Sequence, residues 1–244
     1  MSTSRWERRH PAGEAGHRLL AVLGAVAVFS VTLAGFTALR GPSDTGAAVT
    51  VGSYDAPVST VWRTEDGAVA VAGDVRSPVL EIFTDYRCPS CAELQDTAAA
   101  TIKRLASQNR VRVVYRPIVL PQGEPADSQS RRAANASLCA PAGHWLAYHD
   151  ALFTRGPMEG TGAFTEADLI ALARYAGIRD AAFADCVSGG LQNARLDRLT
   201  RDAVEARGVR EVPTAFLNGT RLDLRTHLLE PARLERAIHT AARG

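Results

Sequence analysis

Lysine is almost absent from the chain, Lys103 being the only one among 28 basic residues, and the formal net charge is only +2. That balance is too slight to argue for nucleic acid, and the arginine bias reflects coding more than binding. No internal repeat is visible, which sets aside solenoids and propellers. Cysteine is scarce: Cys88, Cys91, Cys139 and Cys186 are all there is. One C-x-x-C occurs, with no second copy and no H-x-x-H, so a zinc site would lack its other two ligands and no metal is expected. Charged residues make up 22% against 46% hydrophobic, so the chain is globular rather than disordered.

Charge is missing altogether from residues 19–39, between Arg18 and Arg40. At 1.5 Å per residue that stretch spans a bilayer. Arg5, Arg8, Arg9 and Arg18 before it outnumber Glu7 and Glu14, which keeps the amino terminus in the cytoplasm. No convincing A-x-A site follows, and the run exceeds a usual signal-peptide core, so an uncleaved anchor is expected rather than a cleaved leader. No cysteine follows directly for lipid attachment. The organisation predicted is a cytoplasmic segment (1–18), an anchor (19–39), an extracytoplasmic linker (40–66) and one domain (67–244). All four cysteines then lie where disulfides form and persist.

Cys88-Pro89-Ser90-Cys91 is the most informative feature that is present. It follows the apolar run 79–86, a buried-looking strand, and opens a helix-like stretch over 92–108. A helix starting at Cys88 brings both sulfurs to one end of it. There unpaired N–H groups and a positive dipole favour a thiolate. Pro89 suits a first helical position because its missing N–H would have been unpaired anyway. Residues 111–120 read as a second core strand. From 128 to 207 the chain is helical in character, with Thr165 and Asp168 spaced as a helix start and Gly177 as a helix end. Val212-Pro213-Thr214-Ala215-Phe216-Leu217-Asn218-Gly219 reads as a strand opening on an X-Pro bond and closing in an Asn-Gly turn. A short strand near 221–224 and a helix over 231–242 follow.

Strand, C-P-x-C, helix, helical insert and V-P-T-x-F-x-N-G, in that order, resemble the DsbA-like branch of the thioredoxin superfamily over roughly residues 67–243. The resemblance implies an α/β thioredoxin fold, a mixed central sheet flanked by helices, with a helical insertion over about 121–207. It implies a protein-disulfide oxidoreductase with Cys88 as nucleophile, Cys91 as its partner, and Pro89 and Ser90 tuning the thiolate. It further implies a cis bond at Val212–Pro213 facing the pair, with the backbone before the proline pairing an extended substrate strand. No cofactor is expected. The implied partners are newly exported cysteine-containing proteins and a quinone-linked membrane reoxidant of the DsbB or vitamin-K-epoxide-reductase kind.

An oxidase is the expected direction, with reductase or isomerase open. Isomerases usually dimerise, and no dimerisation domain is evident between residues 40 and 67. A non-catalytic strand-addition module is the reading from another class. Relatives commonly carry a buried acid on the strand before the motif, but six residues before Cys88 stands Ile82. Strand alternation places Glu81, Phe83 and Asp85 on one face. Glu81 and Asp85 are the candidate proton-transfer acids, but whether either reaches Cys91 is left open by this alternation, and a solvated or capping acid is the preferred reading. Cys139 and Cys186 are expected to form a structural disulfide between two helices of the insert. His144, Trp145 and His149 resemble the family's insert pattern, where packing is their usual role.

Overall fold

The computed structural model describes residues 61–71, 76–124, 126–155 and 163–243. Strands β1 (Val61–Arg63), β2 (Val69–Val71) and β3 (Val79–Thr84) come first, then helix α1 (Pro89–Ser107) and β4 (Arg112–Pro117). Five helices follow: α2 (Ala126–Cys139), α3 (Ala142–Arg155), α4 (Glu166–Tyr175), α5 (Ala181–Ser188) and α6 (Asn193–Glu205). The chain then returns through β5 (Thr214–Leu217) and β6 (Thr220–Leu222) and ends in α7 (Pro231–Ala241). The six strands form one mixed sheet in the order β1-β2-β4-β3-β5-β6. Only β3 and β4 run parallel, joined through α1 as a β-α-β unit.

The central position of β3 follows from its residues. Leu80 and Ile82 enter the larger core, with Val113 and Tyr115 of β4 and the buried face of α1. That face is Cys91, Leu94, Ala98, Ile102 and Leu105, spaced by three or four residues as a helical stripe requires. Phe83 points the other way and packs with Val114, Leu196, Leu199 and Ala203, so α6 covers the opposite side of the sheet. Burial on both faces explains why β3 reads as a nearly continuous apolar run.

Asn218 and Gly219, both at positive φ (47° and 80°), connect paired Leu217 and Thr220 in a two-residue turn. Asn218 Oδ1 also accepts a hydrogen bond from Val79 N at 2.8 Å, fixing the turn against β3. Thr165 and Asp168 form a reciprocal capping box at the start of α4, and Gly177 sits at φ 86° just past its end.

One expectation needs correction. The predicted linker 40–66 includes β1, which pairs Val61–Arg63 with Val69–Val71, so the domain begins before residue 67. Arg63 also reaches across to α2, donating from Nη2 to the carbonyls of Leu138 (2.6 Å) and Ala140 (2.9 Å). The short strand predicted near 221–224 is β6, which ends at Leu222, and residues 224–228 form a single wide helical turn, with Leu229 N donating to Leu224 O at 2.9 Å. The predicted anchor over 19–39 and the segments on either side of it, up to residue 60, lie outside the described residues. Among the described residues no helix is long and apolar enough to cross a membrane.

Candidate active site

Cys88 is the N-cap of α1, with extended backbone, and Pro89 occupies the first helical position. Its carbonyl accepts from Cys91 N and Ala92 N, each at 3.1 Å, while its own N–H donates to Asp85 O at 3.1 Å. Its sulfur accepts from Cys91 N at 3.4 Å, the role a serine hydroxyl usually fills at this position. Cys88 keeps 9% of its surface exposed and Cys91 only 2%. Cys88 is thus reachable and Cys91 is not.

The two sulfurs are held in opposite states. The Cys91 side chain, with the backbone of Cys91 and Ser90, lowers the Cys88 thiol to about 7, against burial and the Asp85 charge, which push it up. Burial pushes Cys91 well up, as does the Cys88 side chain beside it. The Asp85 backbone and the Thr84 hydroxyl pull the other way. The pair therefore stores its negative charge on the outer sulfur, which is the attacking species in thiol–disulfide exchange.

The strand opening on Val212–Pro213 reaches this site from 124 residues away. The peptide bond between them is cis, and Cys88 Sγ donates to Val212 O at 3.3 Å. Pro213 adds no N–H beside the sulfurs. The structure thus gathers Cys88, Pro89, Ser90, Cys91, Val212 and Pro213 into one place.

It does not bring both acids there. Glu81 lies on the sheet face away from Cys91. Arg116 Nη2 (2.9 Å) and Nε (3.1 Å) both hold its Oε1, and Arg207 Nη1 holds Oε2 at 2.6 Å. Asp66 pairs with the same Arg116, which also sits over the Phe83 ring. Glu81 is consumed by this buried charge network and is not available to Cys91. Strand β3 ends at Thr84, so Asp85 no longer shares a face with Glu81. Asp85 is 1% exposed, burial raises its carboxyl above the ordinary range, and its charge pushes the Cys88 thiol up. Arg87 N and Ser130 Oγ each donate to its Oδ1 at 2.8 Å.

Cys139 and Cys186 form a disulfide that joins the end of α2 to α5. Three residues near the pair were not singled out from sequence. Thr84 touches Cys91, Ser130 fixes Asp85, and Tyr86 bonds His149. Thr84 could have been found, because a residue two beyond Ile82 faces the same core. His149, expected only to pack, lines a small cavity together with Cys91.

A family model described as Thioredoxin matches residues 65–239. The chain belongs to this thioredoxin family. Solved structures resemble it throughout the domain. MdbA, a thiol-disulfide oxidoreductase from Actinomyces oris, is 22% identical with a TM-score of 0.61, covering 72% of this chain and 88% of that one. The reduced disulfide bond oxidoreductase DsbG from Mycobacterium tuberculosis is 24% identical, TM-score 0.61, covering 76% and 88%. BdbD from Bacillus subtilis is 18% identical, TM-score 0.62, covering 77% and 99%. At these identities the likeness is one of fold. No curated protein sequence matches the chain. What this thioredoxin-family domain adds to the fold is a Cys88 thiol lowered to about 7 beside a buried Cys91.

Proposed function

We propose that the chain is an extracytoplasmic thiol–disulfide oxidoreductase, held in the membrane by residues 19–39, that introduces disulfides into exported proteins. The observation that carries this reading is the contrast within Cys88–Cys91: an outer sulfur lowered to about 7 and an inner one pushed well up. Solved relatives described as thiol-disulfide oxidoreductases support it through their shared fold.

In the oxidised protein a substrate thiolate attacks Cys88 Sγ, and the Cys88–Cys91 bond breaks with its electron pair going to Cys91. A second substrate thiolate then attacks the substrate sulfur of the mixed disulfide, and Cys88 leaves as a thiolate. The substrate gains one disulfide and the pair gains two electrons. The Val212 carbonyl, now facing Cys88, is the acceptor an extended substrate strand would meet, so recognition is by backbone and broad. A quinone-linked membrane protein of the DsbB or vitamin-K-epoxide-reductase kind would remove the electrons.

One observation favours a second reading, as a reductase. A Cys88 thiol at about 7 is closer to the value of about 7 in thioredoxin than to the about 3.5 of a strongly oxidising site. The reduction potential of the full-length protein in graded glutathione buffers decides between them. A value near about −120 mV establishes an oxidase and one near about −270 mV a reductase. A protein that keeps its biological role as Cys88→Ser would instead be a strand-addition binding module.

A further inference from the structure

We infer that His149 donates a hydrogen bond, through one water in a cavity beneath the redox pair, to the sulfur of Cys91. This rests on the redox reading of Cys88–Cys91 and assigns a positioning residue to its inner half.

The cavity measures about 10 Å³ and is lined by Thr84, Cys91, Gln95, Ala99, Tyr115 and His149 among others. That is close to the smallest space that takes a water, and a buried water needs two to four polar partners. Cys91, Thr84, Gln95 and the His149 ring offer them. His149 is 1% exposed and wedged in aromatic rings: stacked on Trp145 at 4.6 Å, with Tyr115 at 4.7 Å and Phe153 at 5.1 Å. Its orientation is fixed by packing.

A chain of buried hydrogen bonds sets the tautomer. Trp145 Nε1–H can only donate, and it donates to Ser137 Oγ at 3.2 Å. Ser137 is fully buried, so its own proton needs an acceptor, and the Tyr86 hydroxyl at 2.7 Å provides one. The Tyr86 proton then goes to His149 Nδ1 at 2.8 Å. Every proton of the chain is used when Nδ1 accepts, which leaves the ring proton on Nε2. Reversed, the chain would strand the Ser137 proton in the core. With Nδ1 committed to Tyr86, Nε2–H is the group the ring can offer to the cavity.

The ring stays neutral while it does this. Burial holds His149 well below its ordinary range, and Lys103 adds to the effect. The charged and titratable groups around it are Lys103 on α1, paired with Asp150 on α3, Tyr86 before α1, Tyr115 on β4 and Cys91 itself. The Cys91 sulfur already has the Asp85 backbone and the Thr84 hydroxyl beside it, and the cavity water adds a donor to these. His149 thus supports the Cys91 thiolate, whether it departs when a substrate attacks Cys88 or attacks Cys88 to close the disulfide. In that second step Cys91 loses its proton to solvent, its sulfur bonds to Cys88, and the bound thiol leaves with the electron pair.

The test is stopped-flow oxidation of the full-length protein by 5,5′-dithiobis(2-nitrobenzoate), after mild reduction that leaves Cys139–Cys186 closed. Cys88 attack releases one thionitrobenzoate, and closure by Cys91 releases a second. Losing one hydrogen bond to a thiolate raises the Cys91 thiol by about one to two pH units. Thiolate loss is partly offset by higher nucleophilicity, so His149→Phe should slow the second release about three- to tenfold. The first release should be unchanged, and His149→Gln, which keeps an N–H donor, should stay near the wild-type rate. Ala99→Val fills the water site with His149 in place and should also slow only the second release, which carries the test if His149→Phe fails to fold. A second release at wild-type rate in both His149→Phe and Ala99→Val overturns the inference. A wild-type protein that releases only one equivalent overturns the redox reading instead.

Discussion

Replacing Cys91 by alanine should make Cys88 a poorer nucleophile at neutral pH, although the attacking sulfur itself is untouched. The Cys91 side chain is the largest influence lowering the Cys88 thiol to about 7. A hydrogen bond to a charged group contributes about 1.5–3 kcal/mol, and one pH unit corresponds to about 1.36 kcal/mol. Its loss therefore moves Cys88 ionisation up by about one to two pH units, back toward the ordinary thiol range. The donation from Cys88 Sγ to Val212 O works in the same direction, since it favours the protonated form and survives the substitution. A lowered thiol is ionised above about pH 7 and loses its charge as pH falls through that value, so the variant loses reactivity first between pH 7 and 9. Initial rates of iodoacetamide alkylation from pH 5 to 10, on reduced full-length protein, give the midpoint. Cys91→Ser keeps an O–H donor and should stay closer to wild type than Cys91→Ala. A Cys91→Ala midpoint still at about 7 would refute the reasoning and assign the thiolate to the helix N–H groups alone.

Glu81→Gln should destabilise the fold by about 3 kcal/mol or more, because it strips charge from a buried network in which Arg116 is 7% exposed. Urea unfolding measures the loss, and the Cys88 alkylation midpoint should not move; a shifted midpoint would return Glu81 to the redox site. Opening the Cys139–Cys186 bridge by the double alanine substitution releases a 47-residue separation, which costs about 4 kcal/mol in the chain-entropy model. The urea midpoint should fall accordingly while Cys88 and Cys91 still exchange two electrons, and an unchanged midpoint would show that packing alone holds the insert.

What was legible in the sequence was what short-range chemistry dictates. The helix start at Cys88, the turn at Asn218-Gly219 and the capping box at Thr165 each need only a few neighbouring residues. The less legible parts depend on tertiary placement. Glu81 and Asp85 look equivalent along the chain, and the end of β3 at Thr84, set by its pairing with β4 and β5, separates them. The wide turn Leu224–Leu228 depends on bonds five residues apart, for which no residue pattern gave notice. His149 reads as packing from sequence because its hydrogen-bond partner Tyr86 lies 63 residues away.

The helical insert has a consequence for the order in which the molecule assembles. Strands β3 and β4 are neighbours in sequence, but β5 joins β3 only after α2 to α6 have been made. The Cys88–Val212 contact closes a span of 124 residues, among the most distant pairings in the domain. Contacts of such separation carry the largest loop-closure cost, and synthesis runs from the amino terminus. A nascent chain therefore exposes its C-P-S-C segment long before Val212 exists to face it. The complete redox site is a late product of folding, so its substrate-binding carbonyl appears only in molecules whose sheet has already been completed.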